Sequence, residues 1–139
     1  MADFMEQVKK RLISEPVIWL ATVDHNLAPQ PNPVWFLWEQ DGTDLGSVLT
    51  CTRAGARRIA HLQRNPRGTL NFNTDESGGS IVVLSGEAQV LTEHPAALDV
   101  PPYLDKYRSG IDWISGSPQQ FSIEYPTAVR IRLTRVRGF

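Results

Sequence analysis

Five arginines lie between Thr50 and Phe72, in a stretch, TCTRAGARRIAHLQRNPRGTLNF, that contains neither Asp nor Glu. Arginine carries a permanent charge on a planar fork of N–H donors, which matches the oxygens of phosphate and carboxylate groups. SVLTCT, at the front of this stretch, reads as a strand, and ARRIAHLQRNP has helical spacing through Ile59 and Leu62 until Asn65 and Pro66 stop it. The helix therefore starts near Arg53 to Gly55 and carries Arg57 and Arg58 in or near its first turn. Cations there oppose the helix macrodipole, at about 0.3 to 1 kcal/mol each. A bound anion reverses the sign. Backbone N–H groups, the hydroxyls of Thr50 and Thr52, and the guanidinium groups of Arg53, Arg57 and Arg58 can converge on one phosphate, with Gly55 letting the backbone come close. The competing reading is a solvated or salt-bridged face.

The remaining chemistry-bearing residues call for less. Arg64 and Arg67 suit the negative end of the same helix. Arg130, Arg132, Arg135 and Arg137 read as the wet face of a strand, with a second anionic groove as the alternative. Cys51 is the single cysteine, which excludes an intramolecular disulfide and fits a small buried apolar residue. His25, His61 and His94 lack metal-ligand spacing. Trp19 and Trp38 read as filling a core or an interface, whereas Trp35 and Trp113 fit either that or an aromatic wall beside a ring-shaped ligand.

The elements that position these residues follow from length, composition and period. A chain of 139 residues is one domain by length. With 41% hydrophobic and 21% charged residues and a formal net charge of −1, it has the composition of an ordinary globular protein. A pI near 6.3 argues against gripping nucleic acid through phosphates. The start, MADFMEQVKKRLISEP, interleaves acids and bases unlike a secretory signal, and no apolar run is long enough to cross a bilayer; the expected location is cytoplasmic.

Phe4, Val8 and Leu12 recur at helical spacing, with Asp3 able to cap and Pro16 ending the helix. Val17 to Val23 is β-branched and aromatic, turns at Asp24 to Asn26, and returns through Pro29, Pro31 and Pro33 into VWFLWEQ, so the return strand is expected at an edge, bulge or kink where backbone can meet a ligand. A turn at Asp41 and Gly42, the strand SVLTCT, the arginine segment, the strand RGTLNFN, a turn at Ser77 to Gly79 and the long strand SIVVLSGEAQVLT follow, the last bent at Gly86. From His94 to Gly116 a helical excursion centres on YLDKYRSG, and TAVRIRLTRVRGF closes the chain with Val129, Ile131 and Leu133 on one face. Six or seven short strands with two or three helices predict a mostly β, α+β barrel.

The order LATV, PNPVWF, then an arginine-rich helix of the form ARRIAHLQRNPRGTL resembles the split β-barrel flavin and deazaflavin proteins related to pyridoxamine phosphate oxidase, over most of the chain from Val17 onward. Its length and the segment NPRGTLNF are most similar to the short group that uses the deazaflavin coenzyme F420. The resemblance implies a homodimer with cofactors in clefts between the barrels. It implies phosphate contacts from Thr50, Thr52, Arg53, Arg57 and Arg58, a ring system along the backbone of Pro33, Val34 and Trp35, and Trp113 of a second subunit completing the pocket. Many F420 relatives carry Lys near the position of Arg58, which leaves open whether Arg57 or Arg58 meets the phosphate. The chain ends at Gly138 and Phe139 without a C-terminal substrate-phosphate motif, so pyridoxamine phosphate oxidase activity itself is not expected.

The activity so implied is hydride transfer from reduced F420 to a small unsaturated organic acceptor. FMN in the same fold is the nearest alternative, a non-catalytic cofactor carrier is the alternative from another class, and nucleic-acid binding is the weakest. The polyglutamate tail of F420 would favour an extended basic groove, to which Lys9, Lys10 and Arg11 are candidates. Tyr103, Tyr107 and His61 are conceivable proton donors that the sequence does not place beside a substrate.

Overall fold

The computed structural model describes residues 2–40, 42, 45–91 and 100–139. Asp41, expected to open a turn, and His94, expected to start the helical excursion, lie outside the described residues. Helix α1 (Ala2–Ser14) buries Val8 and Leu12 completely and packs Phe4 against the same core, the face that the spacing predicts. Asp3 sits inside the first turn, not at the cap, and there it complements the positive end of the dipole. The Arg11 guanidinium lies 4.7 Å over the Phe72 ring and donates to the carbonyls of Ser80 (2.8 Å) and Asn73 (2.7 Å).

Strand β1 (Ile18–Val23) turns at Asp24, whose carboxylate accepts from the N–H groups of Asn26 and Ala28. It returns as β2 (Pro29–Val34), paired with β1 over six positions. Successive N–H groups of a strand point to opposite edges. Prolines at alternate positions therefore remove donors from a single edge, and Gln30, Asn32 and Val34 keep theirs on the other. The strand can pair with β1 while presenting a donor-poor free edge, which discourages a further strand.

The rest of the sheet comprises β3 (Leu37–Glu39), β4 (Ser47–Thr52), β5 (Arg67–Asn71), β6 (Val82–Leu91) and β7 (Thr127–Gly138), in the order β2-β1-β5-β6-β7-β4-β3, all antiparallel. Strands β2 and β3 are the two edges of this sheet, yet only Trp35 and Phe36 separate them in the chain. A link that short spans on the order of 10 Å, so the edges must meet and the sheet must curl. Gly86 assists at a register shift in β6, because a Cβ there would come within 2.6 Å of Ile131 Cγ2 and 2.8 Å of the Arg132 carbonyl. The seven strands form the expected split barrel.

Helix α2 (Arg57–Arg64) lies between β4 and β5; α3 (Pro101–Ser115) and α4 (Pro118–Glu124) lie between β6 and β7. Two or three helices were expected, and the described residues form four, α4 being the addition. The described residues form two cores. The barrel buries Val8, Leu20, Phe36, Leu70, Leu84 and Ile131, among others. A second cluster under α3 and α4 gathers Cys51, Tyr103, Tyr107, Ile111 and Phe121, with Trp35 packed against it. Trp38 joins the barrel core through its ring and donates to the Leu45 carbonyl, whereas Trp19 is only half-buried on the other face of β1 and donates to Asn73.

The crossing at Trp35 and Phe36 is fixed from both sides. Phe36 enters the barrel, and Trp35 stacks on Tyr107 at 4.6 Å and 5°. The Tyr107 hydroxyl accepts from Phe36 N (2.8 Å) and has the carbonyls of Pro16 (2.7 Å) and Phe36 (2.9 Å) to donate to. Lys106 Nζ donates to the same Phe36 carbonyl at 2.9 Å and sits 3.6 Å over the Phe36 ring. Burial lowers the Lys106 pKa to about 8 and raises that of Tyr107.

Candidate functional site

Strand β4 ends at Thr52 and the chain turns through Arg53 to Ala56, the Ala56 N–H donating to the Arg53 carbonyl at 3.1 Å. Helix α2 then starts at Arg57 with extended Ala56 before it, no side chain capping it and no acid in its first turn. Its first N–H groups are the unsatisfied donors of a helix end. Arg58 leans from this turn into a half-buried position, where desolvation lowers its pKa, and among the described residues no carboxylate pairs with it. Arg53 lies 4.7 Å over the Tyr125 ring and donates to the Tyr125 hydroxyl at 3.2 Å. Tyr125 in turn stacks on Phe121 at 4.6 Å.

These groups surround a cavity of about 840 Å³. One wall is Pro33, Val34 and Trp35; a second is Cys51, Thr52 and the turn into Arg58; the third comes from α3 and α4 through Tyr103, Ile114, Phe121, Glu124 and Tyr125. Six of the residues singled out by sequence thus come together: Pro33, Val34, Trp35, Thr52, Arg53 and Arg58. Three do not line it. Thr50 is fully buried and its hydroxyl donates to the Trp35 carbonyl at 2.7 Å, so it holds the crossing strand instead of facing the cavity. Arg57 is exposed beside the cavity mouth residues of the same turn. Trp113 is 88% exposed and stands outside the cavity of its own chain.

The α4 wall is not among the elements expected from the sequence. Its signal was Ser117-Pro118, a capping serine before a proline at the first helical position, and Ser117 Oγ does accept from Gln120 N at 3.1 Å. Of the conceivable donors, Tyr103 reaches the cavity wall, Tyr107 is committed to the crossing, and His61 is hydrogen-bonded to Thr22 at 2.8 Å. Cys51 is buried, as its residue type suggests, in the second wall of the cavity. On the closing strand Arg130 pairs with Glu39 and Arg132 with Glu87, both at 3.0 Å. Arg64 sits in the last turn of α2, at the negative end. Among the described residues, no cluster of three His, Cys, Asp or Glu side chains gathers as a metal site requires, and no helix is long and apolar enough to cross a membrane.

The fold has counterparts among known proteins. The family model described as pyridoxamine 5'-phosphate oxidase matches residues 4–139. The chain belongs to this family. Among solved structures, a protein from Clostridium acetobutylicum related to general stress protein 26 of B. subtilis (pyridoxinephosphate oxidase family) is 20% identical with a TM-score of 0.72, covering 98% of this chain and 87% of that one. An F420 reductase is 17% identical with a TM-score of 0.67, covering 92% and 94%. An FAD-binding protein from Mesorhizobium loti is 19% identical with a TM-score of 0.67, covering 94% and 90%. By sequence the chain has no significant match among curated proteins. Identities this low establish the fold of the pyridoxamine 5'-phosphate oxidase family, and the chemistry rests on the cavity: cationic donors at one end, a long aromatic and backbone-lined floor, and room for one ligand of cofactor size.

Proposed function

We propose that the chain is an F420-dependent reductase that moves a hydride from the reduced deazaflavin to a small unsaturated organic acceptor. The observation that carries this reading is Arg58, a half-buried cation without an ion pair among the described residues, at the uncapped start of α2 in the wall of the 840 Å³ cavity. A phosphate supplies what Arg58, Arg53, Thr52 and the first N–H groups of α2 lack. The residues fit such a group in charge, donor number and space.

Bound F420 would supply a hydride, two electrons and one hydrogen, and a proton taken from solvent once the cleft opens would complete the reduction of the acceptor. The protein binds, orients and dries. Arg53 and Arg58 would hold the phosphate, with Arg53 positioned over the Tyr125 ring. Thr50 holds the Trp35 carbonyl, and Tyr107 and Lys106 hold that of the next residue, Phe36, so the backbone of Pro33 to Trp35, along which the ring would lie, is anchored at its end. Phe121, Tyr125 and the Trp35 peptide exclude water, and in a homodimer Trp113 of the partner subunit closes the cleft. Fixing donor and acceptor in one dry site is where the rate enhancement originates.

FMN in place of F420 is the second reading, favoured by one observation. The basic residues lining the cavity are Arg53 and Arg58; exposed Arg57 adjoins them, but Lys9 and Lys10 lie elsewhere on α1 and Arg11 is occupied by backbone carbonyls. Enough charge is present for one phosphate and little for a long anionic tail. Titrating the apo-protein with F420 and FMN in parallel, by cofactor fluorescence at two salt concentrations, tests both. Saturable F420 binding tighter than FMN is expected; FMN binding tighter moves the chain to the flavin branch, and binding of neither rejects the proposal.

A further inference from the structure

A second cavity, of about 490 Å³, lies apart from the site already described. No residue lines both, and they stand at opposite ends of α2: Arg58, in its first turn, lines the first, and Asn65, which ends it, lines the second. The second cavity is a groove on the outer face of the sheet. Ala21, Thr69 and Ser85 pair in register across β1, β5 and β6, and their neighbours Leu20, Leu70 and Leu84 point into the barrel core, so this row points outward. Beside it Ser85 pairs with Arg135 but Gly86 with Leu133, which leaves Thr134 as an extra residue that bends β7 at the groove.

The two halves of the groove differ in chemistry. Ala21, Val23 and Pro29 make the side on β1 and β2 apolar. Arg67, Thr69, Ser85 and Thr134 make the side on β5 to β7 polar. Thr69 and Ser85 are directly opposite each other, which puts their side chains about 5 Å apart on one face. Arg67 lies on that face too, about 7 Å further along β5. Among the described residues that line the groove, the one acid is Glu87, and Arg132 holds it at 3.0 Å. Arg67 and, next to Ser85, Arg135 have no carboxylate partner among the described residues. Positive charge is therefore in excess where the hydroxyls are, and an apolar surface adjoins it.

We propose that the groove is a second ligand site, which takes a small organic anion: the head meets Arg67 and the hydroxyls of Thr69 and Ser85, and the apolar body lies on Ala21, Val23 and Pro29. The site is independent of the cofactor reading of the first cavity and stands without it. A guanidinium fork and two hydroxyls are complementary to the oxygens of a phosphate or carboxylate head. The head alone is insufficient, because an ion pair open to water is screened and worth little. The apolar half adds the burial that such a pair lacks, and the groove falls within the range of about 300 to 1,000 Å³ in which small-molecule sites lie. Of the two readings open for the arginines of β7, the ion-paired wet face fits Arg130 and Arg132, and the anionic groove fits Arg135.

The test titrates phenyl phosphate and benzoate, which carry both parts, into the isotope-labelled chain beside inorganic phosphate, which has the head alone, and benzyl alcohol, which has the body alone, with backbone amide shifts read by NMR. The amides of Val23, Thr69 and Ser85 should move saturably with phenyl phosphate or benzoate, and should need at least about 10-fold more inorganic phosphate or benzyl alcohol. Arg67→Ala should weaken this response about 10-fold, the lower end of the range for a hydrogen bond to a charged group because the groove is open to water. Ser85→Ala, a smaller truncation at the same spot, should weaken it about 2- to 13-fold, and Arg58→Ala should leave it unchanged. A response that survives both groove variants, or that disappears in Arg58→Ala, overturns the proposal, as does no movement of the groove amides with either aromatic anion. Shifts that follow protein concentration instead of the probe would make the groove a contact between two copies of the chain and overturn it as well.

Discussion

Replacing Arg58 by alanine separates binding from folding in one experiment. Arg58 is half-buried, its pKa is lowered by desolvation alone, and among the described residues it makes no ion pair. In the apo-protein its removal deletes an unpaired cation at the positive end of α2, an interaction that is unfavourable by about 0.3 to 1 kcal/mol, so stability should be unchanged or rise slightly. With ligand present the same change deletes charge-assisted hydrogen bonds worth about 1.5 to 3 kcal/mol, a loss of roughly 10- to 150-fold in affinity. The control is Arg64→Ala in the last turn of the same helix, where the cation favours the dipole. It should lower stability by about 0.3 to 1 kcal/mol and leave affinity unchanged. Urea denaturation of the apo-proteins and fluorescence titration with F420 and FMN read the two effects. Equal loss of affinity in both variants, or none in Arg58→Ala with the fold intact, refutes the assignment of the cavity as an anion site.

Thr50→Val keeps the shape and removes the donor to the partly buried Trp35 carbonyl, so denaturant titration should show a loss of about 1 to 3 kcal/mol. Gly110→Ala would set a Cβ 2.7 Å from Trp35 Cη2, and overpacking of about 1 to 3 kcal/mol should appear in the same assay together with weaker cofactor binding, because the Trp35 backbone forms the cavity floor. Stability should also vary with pH in a defined way. The folded pKa of Lys106, about 8, lies below its ordinary 10.5, so from about pH 8 upward the unfolded chain holds a proton that the folded chain has released, and stability rises. Tyr103 and Tyr107 are raised above their ordinary 10.0, so above about pH 10 the unfolded chain loses protons that the folded chain keeps, and stability falls. Lys106→Met should abolish the rise between about pH 8 and 10 in a denaturant series, and Tyr107→Phe should reduce the fall above it.

What was legible in the sequence was whatever one period or one punctuating residue controls. The spacing of Phe4, Val8 and Leu12 marks α1, and the alternation of Val129, Ile131 and Leu133 with Arg130 and Arg132 marks the buried face of β7. Alternate prolines mark β2 as an edge, and Gly86 marks the bend in β6. Arginines placed against the dipole mark the start of α2. The rest depends on contacts between distant segments. Thr50 and Thr52 both lie on β4, where every residue is buried, so alternation could not say which hydroxyl faces the cavity; the carbonyl of Trp35 decides it. Helix α4, PQQFSIE, has Phe121 and Ile123 as its large apolar residues and shows no helical stripe, so the Glu124 and Tyr125 wall went unread. The break at Trp35 and Phe36 is set by Lys106 and Tyr107, some 70 residues further on.

The most direct test is a crystal structure of the chain with F420 or FMN, whichever binds more tightly. The predicted result is a phosphate within hydrogen-bond distance of Arg58, Arg53 and the first N–H groups of α2, with the ring along Pro33 to Trp35. A cofactor bound elsewhere, or a phosphate that leaves Arg58 untouched, would contradict the account.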